Sequence, residues 1–280
     1  MILITTAGKV GAEAASRLAQ QGIPVRVLVR DPSKATALAG IGVDVVEGDL
    51  ALPATIDRAL DGVASVVLVS PAVPELELNV LDRATRAGVG HVVKITSKAS
   101  ADSPIARRRD QTTIEDALIT SGLGYTLLRN NAYMQNFLML APSIATTSSF
   151  GSSTGDGRVG LVDTRDIGAV AASLAAFPEG HGGKTYWPTG PESLSYAEVA
   201  SILSRVLGRT ITFTPLTFEQ EKQGMVDAGL PESVAEMNAQ ALALFAAGDS
   251  DWITDDVPKI LGRPARTFEQ FATDNSVAFS

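Results

Sequence analysis

MILITTAGKVGAEAASRLAQQG, residues 1–22, decides the fold. Residues 2–5, Ile-Leu-Ile-Thr, are apolar or β-branched and read as a strand. Residues 10–21 place Val10, Ala14, Ala15, Leu18 and Ala19 at helical spacing. Gly22 ends that helix, and Pro24 prevents its continuation. Between the two elements lie only Thr6, Ala7, Gly8 and Lys9, so the chain passes from strand to helix through one tight turn.

Working outward, the same grammar repeats. Residues 25–29, 43–47, 65–69 and 91–96 are short runs rich in Val, Ile and Leu, and 125–128 reads as a sixth strand. Such nearly continuous apolar strands suit a parallel sheet covered on both faces. Residues 76–87, ending at Gly88, form another intervening helix. Repeated β-α units of this length require right-handed crossovers. The expected fold is therefore α/β, a doubly wound parallel Rossmann-type sheet. After residue 129 the rhythm changes. Residues 145–160 are rich in Ser, Thr and Gly and read as a loop with a short hairpin. A helix over 165–176, a strand over 184–188, a helix over 196–207 and a strand over 210–214 follow. Residues 218–229, 231–247 and 267–274 read as helical. The expected organisation is a Rossmann-type NAD(P)-binding domain over 1–150. Residues 151–280 then form a mixed region that completes the sheet and supplies a small, mainly helical C-terminal cap over a substrate pocket.

The 280 residues, 45% of them hydrophobic, can bury a large core. A net charge of −8 argues against nucleic acid and anionic membrane surfaces, which demand a concentrated basic field. Small molecules, or a second copy of the chain in a homodimer, fit better. With no cysteine, disulfides, thiolate metal sites and a cysteine nucleophile are excluded, and only His91 and His181 remain as imidazole ligands. No metal is expected. The start of the chain lacks a basic signal region, and no apolar stretch reaches the roughly 18 residues of a membrane span. Cytoplasmic location is the expectation.

A strand running into a turn and a helix N-terminus is built to receive a diphosphate on its backbone N–H groups. Thr5, Thr6, Ala7, Gly8, Lys9, Val10 and Gly11 form that candidate cradle, with Gly8 for the turn and Gly11 for close helix–strand packing. The second strand ends at Arg30, and Lys34 follows one turn into the next helix. A carboxylate there would favour NAD ribose hydroxyls, whereas cations favour the 2′-phosphate of NADP(H). Asp31 dilutes the field by one charge. Asp49 and Leu50 close the third strand, where they suit an adenine ring. Val69, Ser70 and Pro71 close the fourth, on the path towards the nicotinamide.

Together ILITTAGKVG, VLVRDPSK, VEGDL, VVKITS, YTLLRNNAYMQN, DTRDIGAVAA and TYWPTGPESLSYAEVASILSRVLGR resemble the NmrA-like branch of atypical short-chain dehydrogenases/reductases, over essentially the whole chain. The segment TPLTFEQEKQGMVDAGLPE is similar to the cap of its bacterial NADPH-dependent quinone oxidoreductases and triphenylmethane reductases. The resemblance implies that Arg30 and Lys34 take the 2′-phosphate and that Thr96, Ser97 and Lys98 lie near the nicotinamide. Asn130, Asn131, Tyr133, Met134 and Asn136 would then line the substrate pocket. Three departures stand out. The turn is one residue shorter than the family's Thr-Gly-Ala-Thr-Gly-x-x-Gly pattern, with Thr6 in place of the first glycine. Gln111 precedes Glu115 where many relatives carry a histidine. No Tyr-x-x-x-Lys pair follows Ser97, which excludes the usual alcohol–carbonyl chemistry of short-chain dehydrogenases.

Without that tyrosine acid, the expected reaction is direct hydride transfer to an acceptor that stabilises the incoming charge itself, such as a quinone, an enone or a cationic dye. Lys98 either polarises a carbonyl or solvates a loop. Tyr133 either donates to a substrate oxygen, stacks on an aromatic acceptor, or belongs to the core. Arg107, Arg108 and Arg109 have the look of a phosphate clamp, but with Asp102 and Asp110 beside them a solvated helix start is the reading taken. His91 and His181 read as structural and exposed. A redox-sensing protein that binds NADP(H) without turnover is the alternative, and sugar-nucleotide epimerisation ranks lower because the Tyr-Lys pair is missing.

Overall fold

The computed structural model describes residues 1–71 and 73–280. Six strands, β1 (Ile2–Ile4), β2 (Val25–Val29), β3 (Asp44–Glu47), β4 (Ser65–Leu68), β5 (His91–Thr96) and β6 (Gly124–Arg129), join Lys184–Tyr186 in one sheet. Its order is β3-β2-β1-β4-β5-β6 with Lys184–Tyr186 at the far edge. Every pairing is parallel. The order reverses between β1 and β4, which opens a crevice at the carboxyl ends of the strands, the usual ligand site of such sheets.

One face of the sheet packs on the helices Lys9–Gln20 and Thr164–Ala176, around Ile4, Val27, Val93 and Val170. The two helices approach closely because Gly168 has no side chain to meet Glu13. The other face packs on Pro53–Ala59, Pro74–Arg86 and Ala106–Thr120, around Leu3, Leu68, Val92 and Ile114. Residues beyond 150 thus supply both a strand and a central helix to the main layer. A second core lies under the C-terminal region, where Phe137 stacks at 4.9 Å from Tyr196 and 5.1 Å from Phe268.

Residues 145–160 differ from the expected loop and hairpin. A helix over Ala141–Thr147 ends at Ser148 in a left-handed conformation, with φ of 53°. Ser149–Ser152 then pairs in parallel with Thr212–Pro215, and Arg158–Val159 pairs antiparallel with Leu194–Ser195. The two short strands bond to later segments instead of to each other, so no local pattern announces them.

The cap arises from the helices Phe218–Asp227 and Glu232–Ala246 and the segment that follows. It seats directly on backbone. A Cβ at Gly160 would lie 2.1 Å from the Trp252 carbonyl oxygen, so only glycine allows that approach. Gly160 N–H and the Asn131 side-chain amide both donate to the Ser250 carbonyl, each at 3.0 Å.

Candidate active site

The strand ends and the cap enclose a cavity of about 660 Å³. From the first turn come Thr6, Gly8, Lys9 and Val10; from the end of β4, Val69, Ser70 and Pro71; from β5, Thr96, Ser97 and Lys98. Asn130, Asn131, Tyr133 and Asn136 follow from β6, and Ala241, Phe245, Ser250 and Trp252 close the cavity from the cap.

Other expected residues lie elsewhere, each for a visible reason. Thr5 is buried, its hydroxyl donating to the Val69 carbonyl at 2.7 Å and accepting from Val69 N–H at 2.9 Å, so it ties β1 to β4. Ala7 packs against the main core. Gly11 is a packing residue: a Cβ there would sit 1.9 Å from the Thr6 carbonyl oxygen. Leu50 belongs to the core beneath β3 and β4, and Met134 is 1% exposed within the aromatic core, so neither reaches the cavity. Asp49 accepts from Ala51 N–H at 2.9 Å. Arg30 and Lys34 lie on the surface beyond β2. Lys34 stands 4.0 Å from Asp31, while Arg30 has no ionic or hydrogen-bonded partner among the described residues.

The shortened turn keeps the features that a diphosphate needs. Gly8 caps the Lys9–Gln20 helix with φ of −68° and ψ of −178°, an extended conformation open to any residue, and no side chain caps the helix N-terminus. A Cβ built on Gly8 meets only the Thr6 hydroxyl, at 3.9 Å, so the space above it is open. No acidic residue occupies the helix's first turn. Lys9 is exposed and unpartnered among the described residues. The nucleotide-binding fit is therefore met by backbone, with Thr6 packed back onto Gly11.

Deeper in, the Asn130 side-chain amide donates to the Tyr133 phenolic oxygen at 3.1 Å and to the Thr96 carbonyl at 3.3 Å. Its own carbonyl oxygen is buried without a hydrogen-bond partner, an acceptor for a ligand N–H or O–H. Burial pushes the Tyr133 phenol up to about 12 against the opposing Asn130 hydrogen bond, so it holds its proton across the physiological range. Because its oxygen is the acceptor for Asn130, the Tyr133 O–H remains free to donate. The Thr96 hydroxyl is turned away, within reach of Gln111 Oε1 at 2.9 Å and Glu115 Oε1 at 2.8 Å, and Glu115 is paired with Arg129.

Lys98 is committed to the cap. Its Nζ lies 2.8 Å from Asp249, whose other oxygen takes Arg108 at 2.6 Å. Burial opposes the Asp249 charge, but hydrogen bonds from Arg108 and Lys98 outweigh it and hold the carboxyl below its usual pKa. Sequence reading missed this latch, and it missed Arg107 and Arg108 as cavity residues. Only the first-turn position of the arginines pointed that way. His91 is 3.0 Å from the Thr126 hydroxyl and His181 is 2.7 Å from the Tyr186 hydroxyl; neither lines the cavity. Among the described residues no cluster of three potential metal ligands forms, and no helix is long and apolar enough to cross a membrane.

A doubly wound sheet with an open turn at its switch point and a capped cavity beyond defines a nucleotide-binding protein of the Rossmann class. The chain matches the NmrA-like family over residues 1–272 and belongs to it. It is 38% identical to an NAD(P)H azoreductase of Xenophilus azovorans, over all of this chain and 99% of that one. It is equally 38% identical to a (4-alkanoyl-5-oxo-2,5-dihydrofuran-3-yl)methyl phosphate reductase of Streptomyces griseus, again over all of this chain and 99% of the relative. Among solved structures it superposes on an Escherichia coli NADPH-dependent quinone oxidoreductase complexed with NADPH, with a TM-score of 0.89 and 28% identity, covering 99% of this chain and 100% of that one.

Proposed function

We propose that the protein is an NADPH-dependent oxidoreductase that reduces a small conjugated acceptor of quinone, enone or dye type. The observation that carries this reading is the single cavity running from the Gly8 turn past Tyr133 to the cap. Two of the proteins it resembles, the azoreductase and the quinone oxidoreductase, are named for NAD(P)H and NADPH, and the residues present fit that cofactor. The helix amides after Gly8 and the Lys9 ammonium hold the diphosphate, and Arg30 with Lys34 takes the 2′-phosphate. The buried Asn130 oxygen accepts from a ligand donor. When bound, NADPH supplies a hydride to the acceptor.

The chain's own part is positioning and proton supply. The Tyr133 O–H, kept protonated by burial, donates to the acceptor atom on which negative charge develops. Phe245 and Trp252 give that acceptor apolar walls and exclude water. Lys98 and Arg108, through Asp249, hold the cap segment in place.

Anaerobic NADPH oxidation with naphthoquinone, and with cyclohexanone as the unconjugated control, tests the reading. Turnover is expected with the quinone and none with the ketone. Tight NADPH binding with no turnover on any conjugated acceptor would favour a redox-sensing protein instead.

Arg30 sets the nucleotide preference. Arg30→Ala is expected to weaken NADPH binding by about 1.5–3 kcal/mol, the range for hydrogen bonds to charged groups, and to leave NADH binding unchanged. Titration of cofactor fluorescence checks it. An equal loss for both cofactors would move Arg30 from the phosphate to the adenosine pocket.

A further inference from the structure

Three arginines in the first turn of the Ala106–Thr120 helix are electrostatically out of place. The N-terminus of a helix carries positive partial charge and favours acids, yet this first turn holds no acidic residue and Ile105 offers no side-chain cap. The three have different fates. Arg109 donates to the Ser103 and Pro104 carbonyls, outside the cavity, and Arg108 pairs with Asp249. Arg107 lines the cavity and has no hydrogen-bonded or ionic partner among the described residues. Desolvation and repulsion from Arg108 hold its pKa below the usual arginine value, and by surface area the residue is exposed.

The cavity around it is cationic in a chain of net charge −8. Lys9, Lys98, Arg107 and Arg108 line it, and none of its described lining residues is Asp or Glu. Asp249 offsets only one of the two charges it binds. At the acceptor end, uncompensated positive charge therefore surrounds an apolar pocket formed by Ile105, Phe245 and Trp252.

We propose that Arg107, at the uncapped start of its helix, is the anion-recognition residue of the acceptor pocket. The acceptor is a conjugated molecule bearing an oxyanion substituent, a phosphate monoester or a sulfonate, placed a short distance from the reducible group. The fork of Arg107 takes the oxyanion together with the positive end of the helix. This deepens the reductase reading and rests on it for the word acceptor, but the anion site itself stands on Arg107 alone.

Two measurements on Arg107→Gln test it, because that side chain makes no hydrogen bond or ion pair among the described residues. In turnover with NADPH, the KM for naphthoquinone sulfonate is expected to rise by about tenfold or more relative to any change in the KM for naphthoquinone. Arg107→Lys, which keeps the charge and loses the fork, should recover part of the effect. In binding, Trp252 in the cavity wall is the reporter. Benzyl phosphate should alter the fluorescence of the NADP⁺-saturated wild type, benzyl alcohol should do so far less, and Arg107→Gln should abolish the phosphate response. Sulfonate and phosphate responding alike assigns a general oxyanion site; phosphate alone assigns a phosphate-monoester site. If neither quinone turns over but the benzyl phosphate response depends on Arg107, the anion site stands and the reductase reading falls. An unchanged sulfonate KM and an unchanged benzyl phosphate response in Arg107→Gln overturn the proposal, as does an equal weakening of NADPH, which would place Arg107 on the cofactor.

Discussion

Lys94→Met is expected to destabilise the protein by about 3–5 kcal/mol, the cost of leaving one partner of a buried ion pair uncompensated. Lys94 and Glu77 are both fully buried, with Nζ 2.6 Å from the carboxylate, between β5 and the Pro74–Arg86 helix. Lys94 also donates to the Ile95 carbonyl at 2.7 Å, and the Ser70 hydroxyl donates to Glu77 at 2.6 Å. Ser70 lines the cavity, so the buried pair braces one wall of the site from behind. The thermal unfolding midpoint of the variant should fall by roughly 5–9 °C for a chain of this size. The double variant Lys94→Met/Glu77→Leu should recover much of that loss, since an apolar pair of similar volume no longer strands a charge. If the single variant unfolds like the wild type, the pair is not the brace described.

Gly8→Val is expected to lower NADPH affinity by about a hundredfold or more, equivalent to ~2.7 kcal/mol, while thermal stability falls by only about 1 kcal/mol. The backbone at Gly8 is ordinary and a Cβ there meets nothing closer than the Thr6 hydroxyl at 3.9 Å, so valine folds in place. Its branches then occupy the open space over the helix N-terminus. Gly11 would be a poor choice for this test, because a Cβ 1.9 Å from the Thr6 carbonyl oxygen forces the whole turn to move. Isothermal titration with NADPH, beside a melting curve, separates the two effects. Wild-type affinity in Gly8→Val would mean that the turn is not the phosphate cradle.

The fold was legible because its signals are local. Apolar runs such as Val25–Val29 and the helix Tyr196–Leu207, with its Ser195 and Glu198 capping box, lie where periodicity and punctuation place them. The strands Ser149–Ser152 and Arg158–Val159 escaped because their partners are at Thr212–Pro215 and Leu194–Ser195, and pairing at that separation leaves no local mark. The same limit applies at the site. Residues at strand ends could be aligned with one another from the order of the sheet, but which cap residues close over them depends on contacts such as Lys98 with Asp249, 151 positions apart. Lys94 sits inside an apolar strand where its neighbours conceal it, and only the structure supplies Glu77. Arg107 to Arg109 show the converse. Their spacing was plain, yet three equal charges in a row face three different surroundings, and reading them as one solvated group hid the two that line the cavity.

The most direct measurement is a crystal structure grown with NADPH. Density is expected for the diphosphate on the amides following Gly8, for the 2′-phosphate beside Arg30, and for the nicotinamide in the cavity within reach of the Asn130 side chain, below Tyr133 and the cap. A dinucleotide bound elsewhere, or a turn that admits none at NADPH concentrations saturating in solution, would contradict it.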